Sequence, residues 1–185
     1  MILRHLPNII CIARIALIWP IVVALKNGNF GLAMGVFAFT AVSDGLDGFL
    51  AKRFHWTSEL GKLLDPAADK LLLVSVFVSA TWLGMVPPWL TAAAVARDAM
   101  IALGAIAFRV WFGPLHGHPR VLSKLNTGMQ LAYLLAVMSR AAFRFPGASA
   151  LAALAVATLL TTIVSGVDYI SAFTRRALAV PASAR

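Results

Sequence analysis

An all-α, polytopic membrane protein with six transmembrane helices and both termini in the cytoplasm is the fold class the sequence predicts. Three observations predict it. Of 185 residues, 61% are hydrophobic and 12% charged, with a mean hydropathy of +0.86. The apolar residues fall into six runs separated by Gly, Pro or charge. Lys and Arg crowd onto alternate connectors. Such a composition lies outside the soluble globular range. Each bilayer crossing needs about 20 mostly apolar residues, so the chain has room for about six and almost no domain outside the membrane. Any site lies within the bilayer or at its edge.

The six helices are predicted at 7–25, 30–51, 61–83, 88–112, 122–142 and 148–173. The breaks between them are 26–29 and 84–87, both with Gly, the polar stretch 52–60, then 113–120 and 144–147, each holding Gly and Pro. Residues 1–174 are read as one helical domain and 175–185 as a basic, disordered tail. The chain runs from Met1 straight into an apolar stretch that carries Arg14 and no small-residue cleavage site, so the first segment is read as a permanent helix.

Six crossings put both termini on one side. The termini and the loops of that side collect eleven Lys or Arg; the opposite loops hold Lys26, Arg140 and Arg144, while Arg14 and Arg97 lie inside helices. The asymmetry orients the termini to the cytoplasm. The net charge of +9 comes from cations scattered between apolar runs, not from a stripe with interleaved aromatics, so it reads as anchoring to an anionic leaflet and no nucleic-acid partner is expected. The single cysteine, Cys11, excludes an internal disulfide and a thiolate metal cluster.

Seven acids occur in the whole chain, and four of them, Asp44, Asp47, Asp65 and Asp69, fall within one short stretch. Asp44 and Asp47 are three apart near the end of the second helix; Asp65 and Asp69 are four apart near the start of the third. Each pair therefore projects from one helical face. Antiparallel helices joined by a short connector can bring the two faces to one depth. Four ionised carboxylates in a partly dehydrated place repel one another unless some are protonated or cations are bound. An all-oxygen donor set suits Mg²⁺ or Mn²⁺, and no His or Cys set suited to zinc accompanies it. The alternative is interfacial pairing with Lys52, Arg53, Lys62 and Lys70. Gly45, Gly48, Gly61 and the small Ala51 interrupt the helices beside the acids and would let a bulky ligand approach the backbone, or let helices pack closely.

The string from Asp44 to Lys52, followed by Gly61 to Asp69, resembles the signature of the CDP-alcohol phosphatidyltransferases, D-x-x-D-G-x-x-A-R, eight residues, then G-x-x-x-D-x-x-x-D. Lys52 stands where the family usually has Arg, with Arg53 next. The opening Asn8, Cys11 and Arg14 resemble the family's N-x-x-T-x-x-R, with Cys11 in place of Thr. The resemblance implies a catalytic domain in which Asp44, Asp47, Asp65 and Asp69 hold two divalent ions, Mg²⁺ or Mn²⁺, and Asp69 is also the general base. It implies that Asp47, Gly48, Ala51 and Gly61 meet CDP-diacylglycerol, with Lys52 or Arg53 at its pyrophosphate. Asn8 either lines the nucleotide site or is an ordinary helix-start residue.

Acceptor choice is expected from the second half of the chain. Arg97, Asp98, Arg120 and Lys124 could hold an anionic acceptor, with Asn126, Thr127 and Gln130 as hydrogen-bonding groups; otherwise Arg97 and Asp98 form an intramembrane pair and Lys124 snorkels. The segments around Arg97-Asp98 and Ser123–Gln130 resemble the CMP-forming cardiolipin synthases more than the phosphatidylglycerophosphate synthases. Phosphatidylglycerol is thus the expected acceptor and glycerol 3-phosphate the alternative. The resemblance also implies a homodimer, in a membrane read as the bacterial inner membrane, with the site at its cytoplasmic face. A reading of another class is an ion channel or proton-coupled transporter, but the acids cluster at one end instead of lining a path. Asp168, the exception, is expected to pair locally with Arg175 or Arg176.

Overall fold

A computed structural model describes the backbone of residues 6–54, 59–112 and 121–179, and the side chains of residues 12–43, 67–107 and 121–175. The described residues form six α-helices: α1 (Leu6–Lys26), α2 (Phe30–Phe54), α3 (Glu59–Trp82), α4 (Pro88–Phe112), α5 (Val121–Phe143) and α6 (Ala148–Ala179). Every predicted helix is present. The largest departure is at α6, which continues through Arg175 to Ala179 where the sequence reading starts a disordered tail; Arg, Ala and Leu are all strong helix formers, so nothing local stops it.

Local chemistry sets the turns at the end of the bundle away from the acids. α1 and α3 both end in a Schellman motif: Gly28 at φ 73° donates to the Leu25 carbonyl while Asn29 N–H reaches Ala24, and Gly84 at φ 71° donates to Thr81 while Met85 reaches Ala80. Glycine adopts this left-handed conformation without a Cβ penalty, and the two bonds satisfy carbonyls that the helix end would otherwise orphan. Pro88 then opens α4, where a missing N–H costs nothing, and the Pro87 carbonyl accepts from Leu90 and Thr91.

These short turns make α1/α2, α3/α4 and α5/α6 antiparallel neighbours, and each of the three pairs packs together. α1 also packs on α3, α2 on α5 and α4 on α6. Among the described residues α1, not a direct α2–α3 contact, joins the two acid-bearing helices. The apolar core fills the end opposite the acids: Ile21, Leu25, Phe37, Val76, Phe77, Leu90, Leu134 and Met138 are buried, Phe77 and Tyr133 stack at 6.4 Å between ring centroids, and Thr81 and Thr91 hydroxyls meet at 2.5 Å.

The outside is apolar too. On α6, Val156, Leu160, Ile163, Val164 and Val167 are exposed while Ala155, Thr158, Thr162 and Ser165 are buried, an inversion of the soluble pattern. Small and hydroxylated residues inside, aliphatic residues outside, is the arrangement expected where lipid is the solvent. The apolar stretches 88–107 and 148–175 of α4 and α6 are long enough to cross a bilayer. Trp82, 89% exposed, and the half-exposed Trp89 flank the α3–α4 turn, where interfacial tryptophans are enriched.

Candidate active site

The two acid pairs lie on continuous helix, Asp44 and Asp47 on α2, Asp65 and Asp69 on α3, so each pair keeps the one-face spacing read from the sequence. The side chains of Asp44, Asp47 and Asp65 lie outside the described residues, as do those of Asn8, Gly48, Ala51, Lys52, Arg53, Gly61 and Arg120. Asp69 is described. Its Oδ1 pairs with Arg14 Nη1 of α1, and the Arg14 side chain is only 3% exposed. An arginine at this depth in an apolar helix is expensive unless it meets an anion, and α1 delivers it to the second acid helix.

The residue after Asp69 turns to the opposite neighbour. Lys70 Nζ lies 2.6 Å from Asp98 Oδ1 on α4, and the same oxygen accepts from Arg97 Nη1 at 2.6 Å. The Lys70 contact is a charge pair whose direction misses hydrogen-bond geometry, since the ammonium has no aligned acceptor. Arg97 Nη2 donates to Ser123 Oγ of α5 at 2.8 Å and also to Ser165 Oγ of α6. Four helices are thus tied through the Arg97–Asp98 pair. Among the described residues, two cations share one carboxylate here, one positive charge in excess.

Of the residues read as holding the acceptor, the structure brings Arg97 and Asp98 together, in the pair the sequence offered as the alternative. Lys124 is exposed on α5, and Thr127 donates to the Ser123 carbonyl of its own helix at 3.1 Å. Asn126 is fully buried, and its Oδ1 accepts from Thr162 at 2.9 Å and Thr161 at 3.1 Å on α6. Its Nδ2, with both polar atoms of the buried Gln130 one turn on, has no protein partner. Asn126 therefore locks α5 to α6 with its carbonyl and keeps only its amide donors to spare.

Two partners escaped the sequence reading. The sequence places Arg14 among the cations inside helices and in the first-helix motif but names no partner for it, and offers Lys70 only the four acids. The scarcity argument applied to the acids applies equally to a lone Arg in an apolar segment, and it would have found Arg14. Ser165 carries no such signal, since buried serines are common in membrane helices.

Residues 4–165 match the sequence pattern that defines the CDP-alcohol phosphatidyltransferases. The chain belongs to the CDP-alcohol phosphatidyltransferase family. Its members are integral membrane proteins, in keeping with the apolar exterior of this one. Among individual relatives, it is 31% identical over 180 residues to a cardiolipin synthase (CMP-forming) of Homo sapiens, covering 89% of this chain and 60% of that protein. It is 41% identical over 120 residues to a cardiolipin synthase (CMP-forming) of Streptomyces coelicolor, 62% of this chain and 54% of the relative. A probable phosphatidylglycerophosphate synthase of Mycobacterium tuberculosis is 27% identical over 179 residues, 91% of this chain and 81% of the relative. The chain thus spans about half the length of the cardiolipin synthases it matches.

Proposed function

We propose that this chain transfers the phosphatidyl group of CDP-diacylglycerol to a hydroxyl of phosphatidylglycerol, giving cardiolipin and CMP. The observation that carries the reading is the family's acid pattern on two helices, whose last member, Asp69, is followed at once by a buried cluster with an excess of positive charge. Likeness to cardiolipin synthases of a mammal and a bacterium supports the choice of acceptor.

Asp44, Asp47, Asp65 and Asp69 fit a pair of Mg²⁺ or Mn²⁺ ions, because the donor set is all carboxylate oxygen on two helix faces of regular spacing. Bound there, the ions would supply neutralisation of the pyrophosphate charge. Asp69 accepts the proton of the acceptor hydroxyl as that oxygen bonds to the lipid-side phosphorus in line with the leaving group. The bond from this phosphorus to the bridging oxygen breaks, CMP leaves with the electron pair, and Asp69 returns its proton to solvent. Lys52 or Arg53 holds the pyrophosphate, Gly48, Ala51 and Gly61 leave room for the nucleotide, and Asn8 borders it. The reaction belongs at the cytoplasmic face of a bacterial inner membrane, in a six-span homodimer with cytoplasmic termini.

A second reading, synthesis of phosphatidylglycerophosphate from glycerol 3-phosphate, is favoured by one observation: the relative of that description is spanned over 81% of its length. Both readings are tested together. Purified protein with CDP-diacylglycerol and Mg²⁺ is given each acceptor in parallel, and CMP is measured. Release with phosphatidylglycerol is expected, and Asp69→Asn should reduce it by about a thousandfold, the scale of general-base catalysis. Release with glycerol 3-phosphate alone selects the second reading; release with neither defeats both.

A further inference from the structure

We propose that Lys70, positioned by Asp98, receives the negatively charged group of the acceptor, while Arg97 serves as a structural tie. The inference rests on the transferase reading above and adds a residue to it. Arg97 is committed at both terminal nitrogens, with only its buried Nε left without a partner: its side chain is 4% exposed, Nη1 is on Asp98 and Nη2 on Ser123 and Ser165. Lys70 is not. Its stem is partly exposed, the side chain as a whole being 37% exposed, while the ammonium itself is buried against Asp98 without an aligned hydrogen bond. A lysine is a point charge on a flexible four-carbon stem, suited to moving between a resting carboxylate and an incoming anion. Asp98 shares one oxygen between two cations, so it neutralises only one of them. The remaining charge is costly in a low-dielectric bundle and favours an anion beside it.

Acceptor chemistry agrees with the spacing along α3. Phosphatidylglycerol and glycerol 3-phosphate both carry a phosphate separated by three carbons from the attacking hydroxyl. Asp69 and Lys70 are consecutive, about 3.8 Å apart at their Cα atoms, and they face different neighbours: Asp69 meets α1 and Lys70 meets α4. A hydroxyl at Asp69 thereby leaves its phosphate on the α4 side, where Lys70 lies. The shared recognition element is this phosphate, and an alcohol without one gains nothing from Lys70.

The test is steady-state CMP release by the full chain, with KM measured separately for CDP-diacylglycerol and for each acceptor, in wild type, Lys70→Gln, Lys70→Arg and Lys124→Gln. Loss of a charge-assisted contact should raise acceptor KM in Lys70→Gln by roughly 10- to 100-fold. KM for CDP-diacylglycerol should stay within about twofold, and Lys70→Arg should recover most of the loss. Lys70→Met, which keeps the stem volume, is the second variant should Lys70→Gln not fold. An unchanged acceptor KM, an equal rise in both KM values, or a larger effect from Lys124→Gln overturns the inference while the transferase reading stands. Wild type that releases CMP with neither acceptor overturns both.

Discussion

The two ends of the bundle are built from opposite materials. One end packs Ile21, Leu25, Phe37, Phe77, Leu90 and Met138 and closes with glycine-capped turns. The other carries Arg14, Asp69, Lys70, Arg97 and Asp98 within the same helices. Lipid is as apolar as leucine, so helices gain little from hiding apolar surface; close packing and buried polar ties must hold them together. The apolar end can therefore be optimised for fit alone. Among the described residues, the charged end keeps two cations on the single carboxylate of Asp98 and buried polar atoms without protein partners, which a purely structural interior would avoid. On the proposed function, the contrast puts stability mainly at one end and substrate contact at the other.

The largest effect in breaking that division is expected at Arg97. Replacing it by Met leaves Asp98 to Lys70 and removes three charge-assisted hydrogen bonds, to Asp98, Ser123 and Ser165, so thermal unfolding in detergent should report a loss of about 3–5 kcal/mol. Acceptor KM should rise as well, since Asp98 can then draw Lys70 closer. Phe77→Ala is the counterpart at the apolar end. It removes the stack on Tyr133 and should cost about 3 kcal/mol, yet the acceptor KM of the protein that remains folded should be unchanged. A Phe77→Ala protein with acceptor KM altered as strongly as in Arg97→Met would show that the two ends are not separate.

How much of this was legible in the sequence follows from the same contrast. The helices were legible because apolar runs, Gly28, Gly84 and the Pro87-Pro88 pair are local signals that decide where a helix begins and ends. The acid pairs were legible because charge is scarce in this chain; the side chains of three of the four lie outside the described residues. Pairing between helices was not legible. Asp98 could have served Arg97 alone; that Lys70 also reaches it depends on α3 packing beside α4. Asn126 looked like a pocket residue by type, but its carbonyl turns to Thr161 and Thr162, a choice set by the α5–α6 contact. The insertion of α1 between the acid helices is likewise a property of packing order that no periodicity records.

The smallest effect sharpens the comparison at the turns of the apolar end. Three helices end there, and two of them use glycine in the left-handed region. The third, α5, ends at Arg144 with φ 60°, whose N–H donates to the Arg140 carbonyl at 3.0 Å in the single-bond version of the same cap. A side chain in that conformation costs about 1–2 kcal/mol, part of which glycine forfeits through its freer unfolded chain. Arg144→Gly should therefore raise stability by about 0.5–1 kcal/mol, read as a small upward shift in thermal unfolding with CMP release unaltered. A loss of stability would mean that the Arg144 side chain contributes more to this turn than its backbone conformation costs, and that the α5–α6 turn is held differently from the two glycine-capped turns beside it.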